Sequence, residues 1–266
     1  MNAIPIAVEP LPVNRSFPEI TIRGLHKRFG GEPLYQGFDL DIERHKVTTF
    51  FGPNGCGKST LLNMIAGLAP YEGGSILFDG RALKDVKLGF VFQNYRDALM
   101  PWLRAVDNIA YPLKLQGRSR GEIDHRVQEL VDAFEIGFDL KRYPYQMSGG
   151  QQQLVSILRA LAPDPEVICF DEPFSALDYE MTLFVREMLQ RLFIKTRKTL
   201  VIVSHDIEEA VWLADRLVLL TRRPTRVAEV VKVDLPHPRD MSTLSSPDFV
   251  RIKQRALEVF QREVRA

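Results

Sequence analysis

Residues 47–51 form a β-rich run, a glycine-rich loop follows at once, and residues 58–68 then show helical periodicity. The loop fits G-x-x-x-x-G-K-[ST], a pattern whose backbone N–H groups turn around phosphates at a helix N-terminus. At average residue frequencies, a chance match in a chain of this length is on the order of one in a hundred. The pattern therefore predicts a nucleoside-triphosphate site. Its members are Gly52, Pro53, Asn54, Gly55, Cys56, Gly57, Lys58, Ser59 and Thr60.

Two members of the loop have chemical roles in this interpretation. Lys58 would hold the β- and γ-phosphates, and the Ser59 hydroxyl would ligate Mg²⁺. The dinucleotide-binding fingerprint is not matched, because Asn54 occupies the position of its second glycine. The loop therefore favours a triphosphate with its metal over a dinucleotide.

An apolar strand at 167–170 ends in two carboxylates, Asp171 and Glu172. Considered alone, such a pair is more often simply solvated than catalytic. With a phosphate loop upstream it acquires a mechanism, in which Asp171 holds Mg²⁺ through its waters and Glu172 polarises the attacking water. Cys169 lies in the middle of the strand and is expected to be a core residue.

A second glycine pair opens a helix with an apolar stripe. Ser148 suits the N-cap, and Gly149 and Gly150 leave the first backbone N–H groups open to an anion. The alternative is an ordinary cap on a core-packing helix, which these residues alone would favour.

Short strands alternate with helices through most of the chain, which predicts an α/β fold with a parallel sheet covered by helices. At about 97–147 the pattern changes to helical segments broken by Pro and Gly, so we expect a helical subdomain inserted there. Residues 1–18 contain four prolines and are expected to form a flexible arm. A domain at 19–221 and a C-terminal unit at 222–266 complete the predicted organisation.

The composition of the chain excludes several classes of protein. The 266 residues include 35 basic and 34 acidic side chains, a net charge of +1, so no global basic field points to nucleic acid as a partner. No apolar run approaches the ~20 residues that span a bilayer, and the proline-rich N-terminus is unlike a secretory signal. Two cysteines, Cys56 and Cys169, make no disulfide framework, so an intracellular protein is expected.

Several motifs, taken in their order along the chain, resemble those of the ATP-binding subunits of ABC transporters. The match runs from about residue 20 to 221 and implies a P-loop NTPase core with an N-terminal antiparallel β portion and the inserted helical subdomain. The motifs are the phosphate loop, Gln93 in Val-Phe-Gln, Met-Ser-Gly-Gly-Gln at 147–151, the acidic strand end, Ser-Ala-Leu-Asp at 175–178 and His205 in Val-Ser-His-Asp.

The resemblance implies roles for single residues. Phe29 would stack on adenine, the alternative being a core phenylalanine; Gln93 would contact Mg²⁺ or the lytic water, and His205 the γ-phosphate. Asp178 would lie in the loop that crosses to a second subunit. Two copies would enclose two ATP molecules head to tail. The residues that would cover the nucleotide of the other copy are Ser148, Gly149, Gly150 and Gln151.

Residues 93–103, with Leu-Met-Pro-Trp-Leu after the glutamine, resemble the nitrate, sulfonate and taurine importer group. This implies import of a small anion through a separate integral membrane permease, fed by a solute-binding protein, with the chain on the cytoplasmic side of the inner membrane. Leu99, Met100 and Trp102 would form a groove wall for a short permease helix. The alternative is that they pack the helical insertion.

Two other functions compete with the importer. A soluble ABC-type ATPase acting on nucleic acid or ribosomes would usually show two cassettes or a long coiled-coil insertion, and the sequence has neither. A GTPase would show an Asn/Thr-Lys-x-Asp motif, which is absent. The importer subunit is therefore preferred.

The C-terminal unit predicts a strand at 227–233 and an amphipathic helix at 248–264. The arginines of that helix either attract anionic lipid or form a solvated face, and we favour the face. The signature departs from the family in Met147, which replaces leucine, and in Gln153, which stands where arginine is common. The second change predicts the loss of a polar contact.

Overall fold

The computed structural model describes residues 18–94, 98–175 and 177–265, and their strands form two sheets. The strands are β1 (Pro18–Phe29), β2 (Glu32–Glu43), β3 (Val47–Phe51), β4 (Gly73–Phe78), β5 (Leu88–Val91), β6 (Val167–Asp171), β7 (Thr199–Val203), β8 (Arg216–Leu220) and β9 (Val227–Lys232). The α-helices are α1 (Lys58–Ile65), α2 (Ala105–Leu115), α3 (Arg120–Ala133), α4 (Gly149–Leu161), α5 (Tyr179–Thr196), α6 (Ile207–Leu213) and α7 (Pro247–Arg265). The arm expected at 1–18 falls outside the described residues except for Pro18, which begins β1.

The larger sheet has the order β5-β6-β7-β3-β8-β9 and is parallel except for β9, which pairs antiparallel with β8. Every residue of β3, β6 and β7 is buried, as expected for strands covered by other elements on both faces. The carboxyl ends of parallel strands share one edge, so the phosphate loop, the acidic pair and His205 all leave the sheet there. The predicted parallel core is confirmed.

The smaller sheet is antiparallel, with the order β2-β1-β4. The β1–β2 hairpin pairs residues 18–29 with residues 32–43, and bulges shift its register at four places. Its core face packs with α1 and one side of the main sheet, where Cys169 is fully buried. The N-terminal antiparallel portion and the core position of Cys169 are both confirmed.

Helix α1 ends at Ile65, three residues before the end of the predicted periodicity. Gly67 adopts a φ of 70°, its N–H bonds to Met64 O, and Leu68 N–H bonds to Asn63 O. These two bonds form the Schellman motif that terminates helices at a left-handed glycine. Leu68 therefore lies outside the helix and is exposed rather than part of the apolar stripe.

Helices α2, α3 and α4 pack around a second core on the other side of the main sheet. Helix α3 begins at Arg120, because Ser119 and Glu122 form a reciprocal capping box. Leu99 is buried in this core and does not line a surface groove, so that part of the groove prediction is wrong. Met100 is half-buried, and Trp102 is exposed.

Helix α7 packs its apolar stripe onto α6, β8 and β9. The buried members of the stripe are Phe249, Ile252, Ala256 and Val259. On the outer face, Arg251 pairs with Asp248, Arg255 with Glu229, and Arg262 with Glu263, which supports the solvated-face interpretation. Among the described residues, no helix combines the length and apolar character needed to cross a bilayer.

Arg239 is a buried arginine that ties the C-terminal unit to the end of α6. Gln190 holds its backbone through two hydrogen bonds. Burial lowers the pKa of the Arg239 guanidinium to about 10, so the group stays charged at neutral pH. A cation at a helix C-terminus satisfies orphan carbonyls and the helix dipole together. The guanidinium donates at 2.5 to 3.1 Å to the carbonyls of Val211, Trp212, Ala214 and Leu235.

We predict that Arg239→Ala lowers the free energy of unfolding by about 3 kcal/mol, because several buried carbonyls lose their donor. Denaturant unfolding of the full chain measures the change. Arg251→Ala, which removes an exposed arginine paired with Asp248, is the control and should cost less than about 1 kcal/mol. Equal losses in the two variants would contradict the bracing role of Arg239.

Candidate active site

The phosphate loop connects β3 to α1 and borders a cavity of about 820 Å³. The Lys58 ammonium, which is buried, donates to Gly52 O at 2.9 Å and to Pro53 O at 3.1 Å. Cys56 N–H bonds to Pro53 O at 3.2 Å and closes the turn. The cavity is lined by Phe51, Gly52, Pro53, Asn54, Gly55, Cys56, His205, Arg222, Arg223, Phe260 and Val264.

Asp171 and Ser59 meet although 112 residues separate them. The Ser59 hydroxyl donates to Asp171 Oδ1 at 2.7 Å. Burial raises the pKa of the Asp171 carboxyl above its ordinary value, and the charge of Glu172 raises it further, while the Ser59 hydrogen bond and Lys58 act in the opposite direction. The pair places a hydroxyl and a carboxylate oxygen directly beside the loop.

The Glu172 carboxylate contacts the other two predicted catalytic side chains, Gln93 and His205. Its Oε2 accepts a hydrogen bond from Gln93 Nε2 at 3.0 Å and lies 3.0 Å from His205 Nδ1, which carries the proton when the carboxylate is ionised. The backbone of Glu172 has a φ of 45°, and its N–H bonds to Val203 O at the end of β7. Its side chain is 17% exposed and that of His205 is 52% exposed, so the imidazole faces outward.

The residues expected to hold Mg²⁺ are Ser59, Gln93 and Asp171. Their donor atoms are oxygens, which suit a hard cation, and Mg²⁺ usually takes only one or two protein groups beside water and substrate phosphates. In the described part of the chain, no group of three or more His, Cys, Asp or Glu side chains could form a separate metal cage. The Ser59–Asp171 pair beside a phosphate loop fits an ion shared with a triphosphate. The Gln93 amide bonds to Glu172 instead of this pair.

Phe29 lies at the end of β1, next to the hairpin turn, and is 49% exposed. The alternative that it is a core phenylalanine is therefore wrong. Lys27 Nζ lies 5.2 Å from the centre of the ring. Residues of β2 on the same hairpin reach the phosphate loop, because Tyr35 Oη donates to Gly57 O at 3.0 Å. An exposed ring on this hairpin is compatible with adenine stacking.

The signature residues 148–151 form the first turn of α4 and its cap. Gln151 N–H donates to the Ser148 hydroxyl at 3.3 Å, and the Gln151 side chain accepts from Ser148 N–H at 3.1 Å. A Cβ on Gly150 would lie 1.8 Å from Met181 Cε, so a larger residue here would require the flexible Met181 side chain to shift. None of the signature residues lines the cavity at the phosphate loop.

Gln153 lies inside α4 and is fully buried. Its Nε2 donates to Pro173 O at 3.1 Å, directly after the acidic pair. Gln153 keeps this one hydrogen bond, while its buried Oε1 has no hydrogen-bond partner among the described residues. The loss of a polar contact relative to arginine stays a prediction. This hydrogen bond joins the signature helix α4 to the residue that follows the acidic pair.

Asp178 lies at the N-cap of α5, where its Oδ1 accepts from Met181 N–H at 2.9 Å. Ala176, in the same predicted motif, lies outside the described residues. Ser175 Oγ donates to Glu172 O at 3.1 Å, so the loop before α5 turns back onto the acidic pair. Asp178 itself is exposed.

Four cavity residues carry no motif and were missed by the sequence interpretation. They are Arg222, Arg223, Phe260 and Val264. The amphipathic period of α7 marks Phe260 as an inward position, and its ring centre lies 5.2 Å from that of Phe51, the last residue of β3. The position of the arginines has no signal in the sequence, because the turn after β8 brings them to a loop about 170 residues earlier.

Comparison with known proteins assigns the family. The family model described as ABC transporter matches residues 35–175, more than half of the chain. The chain belongs to the ABC transporter family. It is an ABC-type ATPase, and the resemblance of its motifs to that family is confirmed.

The similar proteins include importer subunits and a dimeric cassette. The aliphatic sulfonates import ATP-binding protein of Bacillus licheniformis is 37% identical over 91% of this chain and 94% of its own. The taurine import ATP-binding protein of Shigella boydii is 38% identical over 90% and 95%. A dimeric ATP-binding cassette, solved in a post-hydrolysis state with ADP and Pi, is 30% identical, with a TM-score of 0.70 over 82% of this chain and all of that one.

Proposed function

We propose that two copies of this ATPase enclose two ATP molecules and drive the import of a small anion, such as a sulfonate, taurine or nitrate, through a separate permease. The observation that carries the catalytic part is the Glu172 carboxylate held between Gln93 and His205, beside the Ser59–Asp171 pair. A fixed carboxylate next to a phosphate loop can orient water for attack on a γ-phosphate.

The residues of one chain divide the chemistry among them. The loop N–H groups and Lys58 would bind the phosphates, and Ser59, Asp171 and Gln93 would hold Mg²⁺. When bound, Mg²⁺ neutralises charge that develops on the phosphate oxygens. Glu172 orients the water and takes its proton, and His205, which is half exposed, reaches the γ-phosphate. Phe29 supplies a face for adenine.

The site of one chain is incomplete, since its signature residues lie outside the cavity. A second copy, rotated head to tail, supplies residues 148–151 to the nucleotide, and its loop before Asp178 crosses the interface. The dimeric relative supports this arrangement. Because each ATP contacts both copies, ATP binding favours the closed dimer and hydrolysis releases it.

Trp102 is the residue we propose for permease docking. It is 72% exposed and lies in the loop before α2. Asn108, which is fully buried, fixes that loop through hydrogen bonds to Met100 N–H, Met100 O and Leu103 O. An exposed tryptophan on a fixed loop is typical of an interface hot spot.

The choice of a small anion rests on the names of the sulfonate and taurine relatives and on the importer-like segment after Gln93. We propose that an external solute-binding protein and the permease select the solute, and that this chain acts at the cytoplasmic face of the inner membrane. Uptake of labelled taurine, an alkanesulfonate and nitrate by cells with and without the chain tests this. Unchanged uptake of all three would contradict the proposed cargo.

We predict that Glu172→Gln retains ATP binding and slows hydrolysis by at least about 100-fold, because the amide cannot accept the proton. The ATP-bound dimer should then accumulate and elute early in size-exclusion chromatography with ATP. Glu187→Gln, the same change at an exposed carboxylate paired with Arg191, is the control and should behave as wild type. A Glu172→Gln chain that stays monomeric with ATP counts against the proposal.

We predict that Gly149→Asp abolishes turnover while leaving ATP binding by the isolated chain within about twofold, because Gly149 acts on the nucleotide of the other copy. Mixing Gly149→Asp with Lys58→Ala should restore part of the activity, since each mixed dimer contains one intact composite site. ATPase assays of the single and mixed variants measure this. No recovery of activity on mixing, or an equal loss of ATP binding in both variants, would contradict the proposed composite site.

We predict that Trp102→Ala lowers solute uptake about tenfold or more while leaving ATP affinity of the isolated chain unchanged, because it removes a docking side chain only. Leu115→Ala is the matched control: Leu115 is also 72% exposed, at the far end of α2, and its removal should leave uptake intact. Normal uptake in cells that carry Trp102→Ala would rule out this docking residue.

A further inference from the structure

Three consecutive carbonyl groups on the outer side of the phosphate loop are each held by a side chain from outside the loop. The donors come from the start of β2 and from the turn between β8 and β9. The bonds join Arg223 Nε to Gly55 O at 2.7 Å, Thr225 Oγ1 to Cys56 O at 2.5 Å, and Tyr35 Oη to Gly57 O at 3.0 Å.

Two of these donors are rigidly placed. Tyr35 and Thr225 are each 1% exposed, and they form a β-bridge to one another. Thr225 N–H bonds to Leu34 O at 2.8 Å, and the Tyr35 ring packs edge-on against Phe38. Burial raises the pKa of the Tyr35 phenol well above its ordinary value, so the group remains a hydrogen-bond donor throughout the physiological range.

The direction of a carbonyl decides the direction of the next N–H group. A trans peptide unit is planar, and its N–H points away from its C=O. Bonds that pull the carbonyls of residues 55, 56 and 57 outward therefore turn the N–H groups of residues 56, 57 and 58 the other way. The Cys56 N–H bonds to Pro53 O within the loop, so the donors offered to a ligand are those of residues 57 and 58. Donors that are oriented before the ligand arrives bind it without the cost of reorganisation.

We propose that Tyr35, Thr225 and Arg223 are positioning residues that set the ATP affinity of the chain by holding the N–H groups of the phosphate loop in their binding orientation. Tyr35 and Thr225 act through the loop carbonyls and not by contact with the phosphates, since both are buried and neither lines the cavity. Arg223 holds the Gly55 carbonyl and also lines the cavity. This inference rests on the proposed function, because it requires the loop to bind ATP. No sequence motif marks the three residues.

Removal of single hydroxyl groups tests the inference. Tyr35→Phe and Thr225→Val delete one donor each with little change of shape, and each should raise the Kd for ATP by about three- to tenfold. The Tyr35→Phe/Thr225→Val double variant should raise it further, while kcat at saturating ATP stays within about twofold, because the reacting groups are unchanged. Thr225→Ser keeps the hydroxyl and should restore most of the affinity.

The controls separate positioning from stability. Tyr71→Phe deletes a hydroxyl elsewhere, and Arg226→Ala removes an exposed arginine in the same turn as Arg223; both should bind ATP as wild type does. Arg223→Ala should weaken binding. The thermal midpoint is measured without nucleotide for every variant. Wild-type ATP affinity in the folded double variant, or a lowered thermal midpoint with no change in Kd, overturns the inference.

Lys58→Ala distinguishes this inference from the proposed function. If Lys58→Ala loses ATP binding while the Tyr35 and Thr225 variants keep it, the positioning role fails and the proposed function stands. If Lys58→Ala also binds ATP as wild type does, the phosphate loop is not the nucleotide site, and both proposals fail.

Discussion

The parallel register of the central sheet is the constraint on which the active site depends. Strand β3 lies between β7 and β8, with Phe50 opposite both Val203 and Val218, and Asp171 at the end of β6 is also opposite Val203. Three strands distant in sequence therefore end at one level. The phosphate loop, the acidic pair and His205 converge because each follows the carboxyl end of a parallel strand, and these ends share one edge of the sheet.

Two opposite charges are buried at that edge, and neither is fully neutralised by the protein. Lys58 has two carbonyl partners, and Asp171 has one hydroxyl and a raised pKa. Burying charge is costly unless partners compensate it. A phosphate would pair with Lys58 and a divalent cation with Asp171, so the two ligands together compensate both charges. Under the proposed function, a metal–triphosphate complex would therefore suit the site better than either part alone.

The functional motifs were predictable because their chemistry is local: a loop, a strand end and a helix cap each follow from a few adjacent residues. The residues that support the loop were not predictable. Tyr35 and Thr225 are far apart in the chain, and no periodic sequence pattern marks their hydroxyl groups as partners of the loop. Leu99 was placed wrongly for a similar reason, since whether an apolar residue faces a groove or the core depends on packing from α2 and α4. The pairing of the β1–β2 hairpin depends on bulges, and the end of α1 depends on one glycine.

The proposed docking loop is connected to both parts that one chain would contribute to the proposed composite sites. Gln93, bonded to Glu172, lies nine residues before Trp102. Arg159 of the signature helix α4 donates to Ala98 O at 2.6 Å, and Gln153 of the same helix holds Pro173 beside Glu172. A permease that displaced this loop would therefore move the proton acceptor of one copy and the signature presented to the other. In the proposed importer, these short polar contacts would couple transport to hydrolysis within a single core, to which Leu99, Leu154 and Phe174 all belong.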